Sequence, residues 1–372
     1  MTSSNQRKSK GKGKTLIFTD PHVDARNGSR VFRDLQRAYF KEILIPACQD
    51  PEIKQVICGG DFFDNRNHMS LATLDYMQTE FLPMIAELGK PFYIIVGNHD
   101  IAFKNTNRVN SLSMFKGVPN VVVVEDDLLR VDDDFTLCPW INPENSERIT
   151  QAIVEAENGD PSDMMLLGHF EIAGMRMYKT SSLCEHGLNK DLFDGYKRVL
   201  SGHFHHPSCD GNIEYIGATF HLNWQDVDDW RGYIIYDPET DDFERVENEF
   251  CIFNALTIDD VADSNDSMFV DQYVRLYINR ETSDVEIKDA RHRIESAGCI
   301  KLDVVDLTIV SRETATSDSD GCGDVDDDVA DTEFNVKTPQ QHFDDACDDN
   351  ELRVMFADIL KEVEASRIEH QQ

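Results

Sequence analysis

Phe92-Tyr93-Ile94-Ile95-Val96-Gly97-Asn98-His99-Asp100 is an apolar run of strand length that stops at a glycine and then delivers three polar, ligand-capable side chains. The same pattern recurs on both sides of it. Gln55-Val56-Ile57-Cys58 precedes Gly60-Asp61, and Thr15-Leu16-Ile17-Phe18 precedes Asp20-Pro21-His22. Further along, Met164-Met165-Leu166-Leu167 precedes Gly168-His169, and Arg198-Val199-Leu200 precedes Gly202-His203-Phe204-His205. Buried strands that each end on ligand residues bring those residues to one edge of a sheet.

Two divalent cations roughly 3.5 to 4 Å apart can hold both the nucleophile and the phosphoryl oxygens of a phosphoester. They need neutral imidazoles, a shared carboxylate and open positions. Asp20 and His22, two apart on a segment expected to be extended, should point to the same face, and His203 and His205 repeat the arrangement. Asp61 suits a bridging carboxylate, Asn98 offers an amide oxygen and His169 another imidazole. The glycines before Asp61, Asn98, His169 and His203 are expected to let the backbone turn and to leave room for the phosphate. Oxygen and imidazole ligands without thiolate favour manganese or magnesium over a structural zinc.

Taken in order, these motifs resemble the calcineurin-like metallophosphoesterase superfamily. Its protein phosphatases carry Gly-Asn-His-Glu and an Arg-Gly after the bridging aspartate, whereas this chain has Gly97-Asn98-His99-Asp100 and Gly60-Asp61-Phe62-Phe63-Asp64-Asn65-Arg66. That favours nucleases and phosphodiesterases. Tyr215-Ile216-Gly217-Ala218-Thr219-Phe220-His221-Leu222-Asn223-Trp224-Gln225-Asp226, followed by Asp229-Trp230-Arg231-Gly232-Tyr233, is similar to the segment after the last ligand motif in SbcD-type DNA repair nucleases. The version it most resembles is that of the recombination endonuclease subunits of T-even-type phages. The resemblance covers residues 14 to 240. Two departures stand out: Asp64 where the family often has His, which touches a secondary active-site contact, and Ala218-Thr219 where it has Ser-Pro or Asn-Pro, which touches a loop.

The resemblance implies an α/β fold, a four-layer α/β/β/α metallophosphoesterase sandwich with a small α+β capping domain and C-terminal helices. It implies one metal held by Asp20, His22, Asp61 and His205 and another by Asp61, Asn98, His169 and His203. His99 is then free to stabilise the transition state or protonate the leaving 3′ oxygen, with Asp100 behind it fixing the tautomer or, alternatively, serving only as a helix N-terminal residue. His68 and His206 read as structural or exposed. The implied function is a metal-dependent DNA exonuclease/endonuclease subunit of a double-strand break repair and recombination complex. It would use two divalent metal ions, manganese first and magnesium second, act on DNA, work with an SbcC-type coiled-coil ATPase and form a homodimer. The alternatives are a metallophosphodiesterase for a small molecule such as a cyclic nucleotide, and a DNA-end tethering scaffold.

Composition bears on these readings. Seventy acidic against 36 basic residues give a formal charge of −34, which opposes nucleic-acid binding, because affinity for a phosphate backbone comes mainly from Lys and Arg. Cations at the site, acid concentrated toward the C-terminus and a basic partner would each offset it. Nine scattered cysteines without a Cys-x-x-Cys fit a reducing compartment. With no membrane-length apolar run or signal-peptide core, the expected location is cytoplasmic and away from membranes.

Along the chain, residues 1–14 read as a flexible basic arm and 15–250 as the nuclease domain. Two helical stripes, Val31 to Leu44 and Leu71 to Leu88, are expected to pack on the sheet, with part of one available for a homodimer face. Residues 251–310 form the capping domain. Within it Val274, Leu276 and Ile278 alternate as a strand, Ser283 and Glu286 read as a capping box, and Val285, Ile287, Ala290 and Ile294 supply a helix face ending at Gly298. Leu302, Val304, Leu307 and Ile309 form a second strand. Residues 311–337 are an acidic linker expected to be disordered. Residues 338–372 are C-terminal helices whose stripe of Leu352, Met355, Phe356, Ile359, Leu360 and Val363 is expected to bind the ATPase partner.

Overall fold

Successive residues of strand β1 (Lys14–Phe18) are buried against different neighbours: Leu16 and Phe18 pack among helices, while Ile17 packs against a second sheet. The computed structural model describes residues 13–132, 134–157, 164–179 and 182–307. Most of the basic arm, all of the acidic linker and the C-terminal helices lie outside the described residues.

The first sheet runs in the order β14 (Asp242–Glu247), β13 (Gly232–Asp237), β1, β2 (Ile53–Cys58), β3 (Phe92–Ile95) and β6 (Val121–Val124). The second runs β11 (Ser208–Asp210), β12 (Ile213–Tyr215), β10 (Arg198–Gly202), β9 (Met165–His169), β8 (Phe135–Cys138) and β7 (Leu129–Arg130). Ile17, Ile57, Ile95 and Ile234 from the first meet Leu137, Leu167 and Leu200 from the second in a shared apolar seam. A hairpin of β4 (Ile101–Phe103) and β5 (Thr106–Asn110) stands apart from both sheets.

Helix α1 (Arg30–Tyr39) continues through a π-turn into α2 (Ile45–Gln49), and α3 (Leu71–Tyr76) continues in the same way into α4 (Leu82–Glu87). Each π-turn comes just before a proline, Pro46 or Pro83, whose missing N–H cannot bond four residues back. Phe32, Tyr39, Phe40, Met77, Phe81 and Ile85 cover the outer face of the first sheet. Leu71, expected in that stripe, is 81% exposed at the start of α3. On the outer face of the second sheet, α5 (Ser146–Glu157) buries Ile149 and Ile153. The layers are therefore α/β/β/α.

A third, parallel sheet of β15 (Phe253–Thr257), β16 (Tyr273–Ile278) and β17 (Lys301–Asp306) carries α6 (Ile258–Asp263) and α7 (Asp284–Ser296). It joins the larger body through Phe253 and Tyr273 against Phe32, and through Arg275, whose guanidinium lies 4.1 Å over the Trp224 ring. Two local expectations fail here. Ser283 accepts from the Glu286 N–H, but the Glu286 carboxylate turns to Arg280 at 2.6 Å, so only half of the capping box forms. Val285 is exposed, and Ala290 and Ile294 are the buried residues of α7. Gly298 ends that helix segment at φ +93°. Leu307, beyond β17, is 38% exposed, and Ile309 lies outside the described residues.

Candidate metal centre

β1, β2 and β3 run parallel, as do β9 and β10, so their C-terminal ends open on one edge. Each sheet delivers part of one cluster. From the first come Asp20, His22, Asp61 and Asn98, and from the second His169, His203 and His205. Five of these seven are fully or almost fully buried, a state that polar groups tolerate only when paired or coordinated.

The route to convergence differs from the extended geometry expected. Asp20, His22, Asp61 and His203 have φ of 50°, 43°, 48° and 91°, in the left-handed region that non-glycine residues seldom enter. The glycines also serve a purpose other than holding phosphate space. A Cβ on Gly97 would lie 2.2 Å from Asp61 Oδ1, and one on Gly202 would lie 2.1 Å from Thr19 Oγ1 and 2.7 Å from Asp20 Oδ2. The space beside these residues is occupied by the neighbouring ligand loop.

Two groups of ligand atoms form, Asp20 with His22 and His205, and Asp61 with His169 and His203, each with its atoms within 4.8 Å of one another. His22 Nε2 and His205 Nε2 are 3.0 Å apart, and each lies 4.0 Å from Asp20 Oδ1. Asp61 Oδ2 is 3.1 Å from His169 Nε2 and 3.9 Å from His22 Nε2. Asn98 Oδ1 lies 3.0 Å from His169 Nε2 and 2.9 Å from His203 Nδ1. Turned over, the same amide would donate to both rings and its oxygen would accept from Arg66. With the oxygen inward, three electron-pair donors converge, an arrangement that a cation satisfies. Oxygen and imidazole donors with no sulfur fit a hard or borderline divalent ion.

Outer contacts orient these ligands. His169 Nδ1 donates to the Gly59 carbonyl at 3.0 Å, which leaves Nε2 facing inward. Asp20 accepts from Thr19 Oγ1 at 2.5 Å and from the His203 N–H at 3.0 Å, and Asp61 Oδ1 accepts from the His99 N–H at 2.8 Å. Burial opposes charge at Asp61, yet the His169 ring beside it outweighs this and holds the carboxyl well below its usual range. Burial likewise opposes a charged His169, but Asp61 raises it to about 9, so a cation held there would compete with a proton for the same nitrogen. His203 is pushed down to about 3 by burial and by the neighbouring His169.

His99 lies beside the cluster, its ring in edge contact with His22 at 4.9 Å. Its Nδ1 donates to the Asp64 carbonyl at 2.7 Å. That carbonyl occupies the tautomer-fixing place expected of Asp100. Asp100 is instead buried and accepts from the Gly97 N–H at 2.9 Å and the Phe63 N–H at 3.1 Å, tying two ligand loops together. Nor does it begin a helix, since β4 follows it. Burial and the charge of Asp61 raise its carboxyl to about 7.

Asp64 gains a second part, because its Oδ1 stands 3.3 Å from His22 Nδ1, an ion-pair separation. In sequence this position stands out only as a departure from the family pattern. Arg231 and Asp226, which the sequence marks only as part of the segment similar to SbcD-type nucleases, are completely buried and paired at 2.5 Å, and both charges act on His205. Arg231 also reaches Asp229, which binds His206 Nδ1 at 2.8 Å. His206 is thus a structural residue and His68 an exposed one. The available signal was a single arginine closing a run of three aspartates, Asp226, Asp228 and Asp229 before Arg231.

The calcineurin-like phosphoesterase family model matches residues 13–207. Exonuclease subunit 1 of Enterobacteria phage T4 is 35% identical over 239 residues, covering 63% of this chain and 68% of that protein. Among solved structures, an archaeal phosphodiesterase is 14% identical with a TM-score of 0.33 over 63% of this chain and 99% of that one. GAP50 of Plasmodium is 9% identical with a TM-score of 0.35 over 80% of this chain and 99% of that one. Likenesses at those scores carry no weight for function. The family match spans more than half of the 372 residues and contains the whole ligand cluster, so the chain belongs to the calcineurin-like phosphoesterases and is a metal-dependent phosphodiesterase.

Proposed function

We propose that this chain is the nuclease subunit of a DNA double-strand break repair and recombination complex, hydrolysing phosphodiester bonds with two divalent cations, manganese in preference to magnesium. Asp61 carries the reading: its Oδ2 lies between the two ligand groups, where one carboxylate can serve two cations. The phage relative's name, exonuclease subunit 1, supports a polynucleotide substrate and a partner subunit.

In this proposal one cation is held by Asp20, His22, Asp61 and His205, and the other by Asp61, Asn98, His169 and His203. When bound, they polarise the phosphoryl group and lower the pKa of water. The chain's own groups do the rest. His99, its Nδ1–H committed to the Asp64 carbonyl, acts as the imidazolium: Nε2–H gives its proton to the leaving 3′ oxygen and the ring is left neutral. The His99 N–H steadies Asp61, and Asp100 holds the loops that carry both.

The capping domain, residues 251–310, is assigned the restriction of which DNA ends enter. Residues 338–372 are assigned the grip on an SbcC-type ATPase, and the catalytic domain pairs as a homodimer. Among the described residues no helix is long and apolar enough to cross a membrane.

The full chain with manganese should degrade linear duplex DNA and leave cyclic nucleotides intact. Turnover of a cyclic nucleotide without attack on DNA would replace this reading with a small-molecule phosphodiesterase. Retention of DNA ends without cleavage would replace it with a tethering protein.

A further inference from the structure

A chain with almost twice as many acidic as basic residues places four arginines, Arg26, Arg30, Arg33 and Arg37, among residues 25–37 against the single carboxylate of Asp34. Arg30, Arg33 and Arg37 lie three and four apart on α1, which puts them on one face over about 10 Å of helix. The opposite face is buried through Phe32, Gln36 and Tyr39.

That buried face is tied to the metal centre. Gln36 Nε2 donates to the carbonyls of Pro21 and His22 at 2.8 and 2.9 Å, so the register of α1 is locked to a ligand loop. Arg26 lies between the two, on a left-handed turn over Ala25–Gly28 in which Arg26 and Asn27 have φ of 57° and 55°. Its Nε donates to the Leu222 carbonyl at 3.1 Å, which anchors the start of the stripe beside the segment after the last ligand motif. The pairings further along are weak. Arg30 meets Asp34 only at 3.4 Å with its side chain 85% exposed, and Arg33 donates to the Gly28 carbonyl at 3.2 Å. Arg37 is held by Glu80 and is left out of the variant below.

We propose that this stripe is the track along which the backbone of a DNA substrate is held as it enters the metal centre. The inference rests on the nuclease reading above and names the surface that reading requires. It also accounts for DNA binding by so acidic a chain, because four guanidinium groups fall within thirteen residues there. A polyanion displaces the exposed Asp34 carboxylate and releases its own counterions on meeting guanidinium groups.

The test uses the full chain with manganese and compares wild type with the triple variant Arg26→Gln/Arg30→Gln/Arg33→Gln. Linear duplex DNA and bis(p-nitrophenyl) phosphate are hydrolysed in parallel across a range of salt concentrations. The small diester needs the metal centre and no track, so its turnover should stay within about twofold, which also shows that the variant is folded. On DNA, kcat/KM should fall at least about tenfold, and the slope of log kcat/KM against log salt should flatten by about 1 for each phosphate that is no longer neutralised. Arg148→Gln, on α5 over the other sheet, should leave that slope unchanged. A wild-type slope in the triple variant, or equal flattening in Arg148→Gln, would make the stripe a solvated face only. Wild-type protein that cleaves the small diester but not DNA would overturn the nuclease reading, and the track with it.

Discussion

His99 keeps its backbone N–H to Asp61 whatever its side chain, while its ring is held by a carbonyl outside the ligand set. Replacing His99 with Ala should therefore lower turnover by about 10² to 10⁴ while both cations remain bound, as mass spectrometry of the metal content would show. Asp61→Asn should do the reverse and deplete both, because Asp61 stands between the two groups. Wild-type turnover in the first variant, or full occupancy in the second, would sink these assignments. Arg231 poses a stability question at the same scale. Burial pushes the Asp226 carboxyl up, but Arg231 more than offsets this and holds it below the ordinary value. The contribution is present above the unfolded carboxyl's pKa of about 3.9 and is lost as pH falls through the lower folded value. Arg231→Met strands a buried carboxylate and should destabilise by about 3 to 5 kcal/mol near neutral pH, with the deficit shrinking in acid. Urea unfolding at pH 7 and pH 3 measures both, and equal deficits at the two values would contradict the pairing.

Elements carry the ligands, and their fit is tightest where β10 passes the end of β1. Gly202→Ala would drive a methyl into Thr19 Oγ1 and Asp20 Oδ2, so it should cost the cation held with Asp20 before the other. Adding Thr19→Ala removes the nearer clash and should restore part of the binding. Independent effects in the double variant would show that the glycine acts elsewhere. The five strands that carry the candidate ligands were legible in the sequence because buried strands give unbroken apolar runs, and their order placed those side chains at one edge. What was not legible depended on groups distant in sequence. The left-handed φ of Asp20 and His22 is sustained by His22 and Val23 N–H groups bonding back to Asp61 and Phe62, about forty residues on. The Ser283 capping box failed because Arg280, itself paired with Asp259, draws the Glu286 carboxylate away from the Ser283 N–H. Asp100 points in sequence to its neighbour His99, although its partners come from two different loops.

At the scale of the molecule, neither ligand group is complete on one sheet. Asp20 and His22 need His205 from across the seam, and Asp61 needs His169 and His203. In the proposed two-cation centre each ion would be a rivet as well as a reagent, fastening the two halves of the sandwich at the edge where the apolar seam ends. Cation supply should set how firmly that edge stays shut, independently of any substrate. At a hundredfold excess over Kd one bound ion adds about 2.7 kcal/mol to the folded state. Chelation should accordingly lower the melting midpoint and speed amide exchange at the ends of β9 and β10, with manganese reversing both. A midpoint indifferent to chelator would mean that the seam alone holds the halves together. If the rivets hold, starving the protein of metal would not merely silence it but would open it from its working edge.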